Sequence, residues 1–226
     1  MRTHTGRVAE ILVDYREKMT ARIECLPGAI PAPGQYLLAE DPGSILAVPL
    51  FQEEALEGGF LAASPVPQIW EPGMELKLRG PLGHGFRIPA TVRRVALASL
   101  NHTASRLLPL LKEILRSGGA AALFSPGPLP PLPPEAEAYP LIDLPSAVSW
   151  ADFLAIDSSL ESLPELRSCL GLRPGELSPC PGQVLVFAAM PCGGFAECGV
   201  CAVHTRQGWK LACKDGPIFD LNELDW

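Results

Sequence analysis

Over residues 1–90, apolar residues fall in short runs that proline and glycine repeatedly interrupt. The runs are "GRVAEILVDY" (6–15), "TARIECL" (20–26), "GQYLLAE" (34–40), "SILAVPLF" (44–51) and "ELKLRG" (75–80). "LPGAIPAPG", "DPG", "EPG" and "GPLGHG" separate or follow them. Short β-type runs between turn signals predict a small antiparallel barrel. The pattern changes near residue 91. "RRVALASL" (93–100) reads as a buried strand and "TASRLLPLLKEILRSGG" (103–119) as a helix with Leu107, Leu108, Leu111, Ile114 and Leu115 on one face. Asn101 or Thr103 is placed to cap it, Pro109 sits early enough to be tolerated, and Gly118-Gly119 ends it. "AAALF" (120–124) is the next buried strand. Strand, helix and strand make a βαβ unit, the start of a doubly wound sheet.

Farther on, the proline-rich "SPGPLPPLPPEAEAYP" (125–140) predicts a stiff surface loop. "PLIDL" (140–144) is expected to be a third strand, and "SWADFLAID" (149–157) and "SLESLPELRSCLG" (159–171) short helices. "GQVLVFAAM" (182–190) is a strand leading into a tail of different character. The expected organisation is therefore an antiparallel β-barrel at 1–90, an α/β unit at 91–187 and a terminal segment at 188–226.

Composition narrows the function. Apolar residues make up 47% of the 226-residue chain and the net charge is −7. A packed globular protein is expected, and an acidic balance without clustered Lys and Arg argues against nucleic-acid binding. The polar start, "MRTHTGRVAEILVDYREK", has no apolar core of the signal-peptide kind, so no signal peptide is expected, and no apolar run reaches the ~20 residues of a membrane helix. A cytoplasmic protein without membrane insertion is expected.

Of the seven cysteines, four lie in the last 35 residues, spaced Cys192-x5-Cys198-x2-Cys201-x11-Cys213. In a reducing compartment such a cluster of thiols points to metal ligation rather than disulfides. A plant-type [2Fe–2S] site uses C-x4-C-x2-C and a distant fourth cysteine, so this spacing has one additional residue in the first gap. Gly193, Gly194, Ala196, Gly199 and Ala202 are small, as a loop that brings amides close to sulfur requires. Zinc stays open as an alternative, although only Cys198-x2-Cys201 forms a knuckle. Cys25, Cys169 and Cys180 read as structural, His204 as a surface residue, and His84 and His102 as isolated histidines.

The tail "MPCGGFAECGVCAV … WKLACKDGPIF" resembles the C-terminal [2Fe–2S] segment of the dihydroorotate dehydrogenase electron-transfer subunit family, within the ferredoxin–NADP reductase superfamily. "PAPGQYLLAE" (31–40) and "PGMELKLRGPLGHGF" (72–86) resemble segments of the same family's barrel. The resemblance implies a ferredoxin reductase-like two-domain architecture, cluster ligands at Cys192, Cys198, Cys201 and Cys213, and a flavin-containing oxidoreductase subunit as partner. It also implies a residual flavin contact at Gly80, Pro81, Leu82 and Gly83. Other cofactor motifs depart from the family. In "ILAVPLFQ" (45–52), Val48 stands where an arginine would meet the FAD phosphate and Phe51 where a hydroxyl would meet the isoalloxazine. "LAASPVPQIW" (61–70) lacks the glycine turn for the pyrophosphate, and "ALASLNHTASRL" lacks the glycines of a dinucleotide loop. FAD is thus left open and NAD(P) is not expected. The function implied is single-electron transfer through a [2Fe–2S] cluster to or from a flavoenzyme. The alternatives are an FAD-containing reductase subunit using NAD(P)H and a zinc-binding structural or regulatory protein.

Overall fold

The computed structural model describes residues 2–13, 18–101, 103–127, 129 and 131–225. Positions 14 and 15 of the first predicted strand, His102, and positions 128 and 130 of the proline-rich loop lie outside the described residues. The N-terminal strands are β1 (Thr3–Val13), β2 (Met19–Glu24), β3 (Tyr36–Glu40), β4 (Val48–Leu56), β5 (Gly59–Ala62) and β6 (Glu75–Leu82). They close into a barrel in the order β1-β2-β5-β4-β3-β6. Val8, Ile23, Leu37, Leu50, Phe60 and Leu76 fill it. Strand β3 is buried on both faces. Leu37 and Ala39 point into the barrel, whereas Tyr36 and Leu38 belong to a second cluster outside it, with Phe51, Leu185, Met190 and Ile218. A strand covered on both sides has no reason to alternate apolar with polar residues, which accounts for "YLLA".

The second unit runs β7 (Arg94–Ser99), α1 (Leu108–Arg116), β8 (Ala120–Ser125), β9 (Glu137–Pro140), α2 (Leu144–Trp150), β10 (Phe153–Ser159), α3 (Leu166–Cys169) and β11 (Gly182–Phe187). The tail adds β12 (Ala202–Thr205), β13 (Gly208–Leu211), α4 (Ala212–Asp215) and β14 (Ile218–Asp220). The sheet order is β14-β11-β10-β7-β8-β9. All neighbours are parallel except β14, which runs antiparallel to β11. Helix α1 covers one face through Leu108, Leu111 and Ile114. Leu144, Leu166, Cys201 and Phe219 cover the other.

Several elements differ from the sequence reading. "FLAID" is the central strand β10, not part of a helix. Phe153 to Ser158 are all buried, so the run carries no period from which strand and helix could be distinguished. The third strand of the unit is β9, just ahead of "PLIDL", and Leu141–Asp143 form a 3-10 turn into α2. Strand β5 was not anticipated. The cap expectation holds only for the entry turn: the Thr103 hydroxyl accepts from the Ser105 N–H at 3.2 Å, while no side chain caps α1 itself. Gly118, at φ +78°, ends the helix as expected.

Candidate functional site

The tail leaves β11, turns at Met190–Gly193, passes Cys198 and Cys201, and returns through the β12–β13 hairpin to α4, which carries Cys213. Its conformation depends on residues tolerant of positive φ. Gly193, Gly194 and Gly199 lie at φ +62°, +76° and +73°, and Ala196 at +63° is the one non-glycine residue with this conformation among the described residues. Gly194 is also tightly seated, because a Cβ there would sit 3.1 Å from the Leu38 Cδ1 and the leucine would have to give by a few tenths of an ångström.

This winding turns N–H groups toward sulfur. The Cys192 thiol is held down to about 6, chiefly by the N–H of Glu197, with the Cys198 thiol and the N–H groups of Cys198 and Ala196 adding to it. The Cys213 thiol is pushed up to about 12, first by burial and then by its neighbour Cys201. Cys198 lies beside Cys192 and Cys201 beside Cys213, and Cys192 is also close enough to raise the Cys213 thiol. Among the described residues, no three or more His, Cys, Asp or Glu side chains converge on a single-ion site. Cys201 is buried and Cys198 exposed, so the site reaches from the core to the surface.

The site rests on the outer face of the barrel. The Tyr36 hydroxyl donates to the Cys213 carbonyl at 3.3 Å. The Arg79 guanidinium donates to the Gly193 carbonyl, and its Cζ lies 4.9 Å from the centroid of the Phe195 ring. Strands β3 and β6 shift register between Tyr36 and Leu38, so that Tyr36 pairs with Leu82 and Leu38 with Arg79. The alternation in β6 runs with Leu76 and Leu78 inward, and Arg79 follows on the outward side, where the tail covers it. Sequence reasoning missed Tyr36, Leu38 and Arg79. The available signals were the unbroken apolar run in β3 and an arginine within a strand.

The residues anticipated as flavin contacts also meet the tail. Leu82 pairs with Tyr36. Gly80, at φ +143°, packs beneath Leu37, and Pro81 follows it in β6. Gly83 abuts Gly216 and Pro217, and the next N–H, from His84, donates to the Gly216 carbonyl at 3.0 Å. Val48 and Phe51 lie on β4, with Phe51 buried in the cluster between barrel and sheet. The remaining cysteines are structural. Cys25 packs on the barrel core and burial pushes its thiol up to about 11, Cys180 donates to the Ala151 carbonyl, and Cys169 packs at the end of α3. His204 stacks on Trp209 at the surface and faces Asp225.

Residues 188–225 match the family model of the iron–sulfur cluster binding domain of dihydroorotate dehydrogenase B. Two curated relatives, from Thermotoga petrophila and Thermotoga maritima, are named as dihydroorotate dehydrogenase B (NAD+) electron transfer subunits. Each is 24% identical over 206 residues, covering 86% of this chain and 86% of the relative. An NADH-dependent reduced ferredoxin-NADP oxidoreductase, described for flavin-based electron bifurcation, superposes with a TM-score of 0.76 at 17% identity, covering 98% of this chain and 90% of that one. The flavohem-like FAD/NAD binding domain of a nitric oxide dioxygenase from Vibrio cholerae gives 0.54 at 14% identity, covering 81% and 98%. Among the described residues, no helix is long and apolar enough to cross a membrane. The chain is thus similar in sequence to the dihydroorotate dehydrogenase B electron-transfer subunits and has a ferredoxin reductase-like fold, and its last segment matches an iron–sulfur cluster binding domain.

Proposed function

We propose that the chain is an electron-transfer subunit that holds a [2Fe–2S] cluster on Cys192, Cys198, Cys201 and Cys213. It passes single electrons to or from a flavin-containing oxidoreductase subunit, by relationship one of the dihydroorotate dehydrogenase type. The observation that carries this reading is that residues 188–225 match an iron–sulfur cluster binding domain and bring all four thiols into one segment, whose amides face the Cys192 sulfur. Among the described residues these side chains do not converge on one point, as a single tetrahedral ion requires. When bound, the cluster supplies one-electron redox chemistry at a potential that the protein sets by hydrogen bonds, charge and exposure.

The chain's own residues prepare that site. Amides of 196–198 face the Cys192 sulfur and favour its thiolate. Tyr36 anchors the α4 end through the Cys213 carbonyl, and Arg79 anchors the loop through Gly193. Exposed Cys198 brings one edge of the site to where a partner's redox group can approach.

The test is the cofactor content of anaerobically purified protein. The expected result is iron and acid-labile sulfide in equal amounts, visible absorption, and an EPR signal on reduction. Cys201→Ser should bleach the colour while the barrel stays folded by circular dichroism. A colourless protein containing zinc would overturn the proposal.

A further inference from the structure

A doubly wound sheet offers its ligand crevice outside the carboxyl ends of its strands, where the strand order reverses. Here the chain steps from β7 outward to β8 and β9, then returns to the other side of β7 with β10 and β11. The crevice is therefore the space beyond Ser99 of β7 and Ser159 of β10, on the side that meets the barrel.

That space is filled by the chain itself. The loop after β7 is fastened to β10: the Leu100 N–H donates to the Asp157 carbonyl at 2.9 Å. The Asn101 amide donates to the same carbonyl at 3.3 Å, and its oxygen accepts from the Ser159 N–H at 3.1 Å. Arg106, in the turn that leads into α1, lies across the gap. Its Nε donates to both Asp157 carboxylate oxygens, at 3.0 and 3.1 Å, and its Nη1 donates to the barrel carbonyl of Ser64 at 3.2 Å. The Arg106 side chain is 3% exposed and that of Asp157 is 0% exposed. The guanidinium lies 4.5 Å from the Phe187 ring centroid and 5.9 Å from that of Phe51, and the two rings meet edge-on at 6.0 Å. A planar ring inserted between two aromatic faces needs two contact distances, about 7 Å in all. The space holds a guanidinium and an edge-on ring pair instead. Neither a flavin nor a nicotinamide ring fits among these residues.

We infer that this crevice is a closed joint and not a cofactor site, so that the chain takes neither flavin nor nicotinamide dinucleotide. This rests on the reading of the tail as a one-electron centre and adds a constraint on the partner. Oxidation of a reduced nicotinamide releases two electrons and a proton, whereas a [2Fe–2S] cluster takes one electron at a time. With no flavin in this chain, the two-to-one conversion falls to a flavin held by the partner subunit. Electrons cross to this chain singly.

The test uses the full chain, purified anaerobically. Flavin released by denaturation is measured by fluorescence, and FAD, FMN, NADH and NADPH are each titrated onto the protein. The cluster absorbance is followed on adding NADH and then dithionite. The expected results are background flavin, no saturable binding, no bleaching by NADH and full bleaching by dithionite. One flavin per chain, a saturable titration, or bleaching by NADH alone would overturn the inference. Iron-free protein would instead overturn the proposed function, and the flavin and nucleotide titrations would still decide this inference on the same sample.

Discussion

The Arg79 guanidinium of β6 donates to the carbonyl oxygen of Gly193, the residue after Cys192, across 114 positions of sequence. It is a nearly buried cation against the loop that carries the cysteines. Reduction of a thiolate-bound cluster adds negative charge, so a nearby cation favours the reduced form, by about 1–2 kcal/mol at an effective protein dielectric. Arg79→Met should lower the reduced-to-oxidised ratio at a fixed potential about tenfold, equivalent to ~59 mV for one electron. Arg79→Lys should recover most of the loss. An EPR-monitored redox titration measures both. An unchanged potential in Arg79→Met would leave Arg79 a purely structural role.

Gly83 and Pro217 lock the barrel to the tail. A Cβ on Gly83 would stand 2.4 Å from the Pro217 Cδ and 3.0 Å from the Gly216 carbonyl oxygen, at a φ of +75°. Gly83→Ala therefore combines left-handed strain with overpacking, about 2–4 kcal/mol together. The expected phenotype is a tail loosened from its seat, with lower iron retention on gel filtration and a lower urea midpoint. Gly73→Ala has a similarly positive φ of +92° but meets nothing within 4 Å, so it should cost only the backbone strain and leave iron retention unchanged.

The sequence made different parts of this arrangement legible for physical reasons. Proline and glycine mark the ends of most barrel strands, and the cysteine spacing with its small residues reports a sulfur-wrapping loop directly. Strand β5 escaped notice because it is only Gly59–Ala62 and opens on a glycine that pairs closely with β2, where a Cβ would lie 1.9 Å from the Ile23 carbonyl oxygen. Strand β10 was hidden by complete burial. The seat of the site, Tyr36, Leu38 and Arg79, depends on contacts with residues far along the chain, which no local pattern encodes. Val48 and Phe51 reveal a missing motif, but the sequence does not show that Arg106 and Asp157 fill the space.

That filling has an energetic signature. Burial pushes the Asp157 carboxyl up, while Arg106 pulls against it by charge and hydrogen bonds. Removing one partner of such a pair leaves a buried charge or a buried unsatisfied acid, at about 3–5 kcal/mol, whereas replacing both by apolar residues is often near neutral. Arg106→Met should lower stability by that amount in urea denaturation. Arg106→Met with Asp157→Leu should recover most of it. Strict additivity of the two single losses would show that the pair is not coupled.

Glu53 sets a pH dependence on the barrel side of the same joint. It lies on β4 beside Glu54, which pairs with Lys112 of α1 at 2.5 Å. Burial first, and then the neighbouring Glu54, raise the Glu53 carboxyl to about 7. The folded state therefore holds a proton on Glu53 over a range in which the unfolded chain has released it, from the ordinary glutamate value to about 7. Stability contributed by this group is full below that range and is lost as pH rises through 7. The loss is on the order of 2 kcal/mol, reduced from the full shift because the side chain keeps some solvent contact. Glu53→Gln should therefore be more stable than the parent at pH 8 and nearly equal to it at pH 4.5. Urea denaturation across pH 4.5–8 measures the difference. Parallel pH profiles for parent and variant would show that Glu53 is ionised throughout.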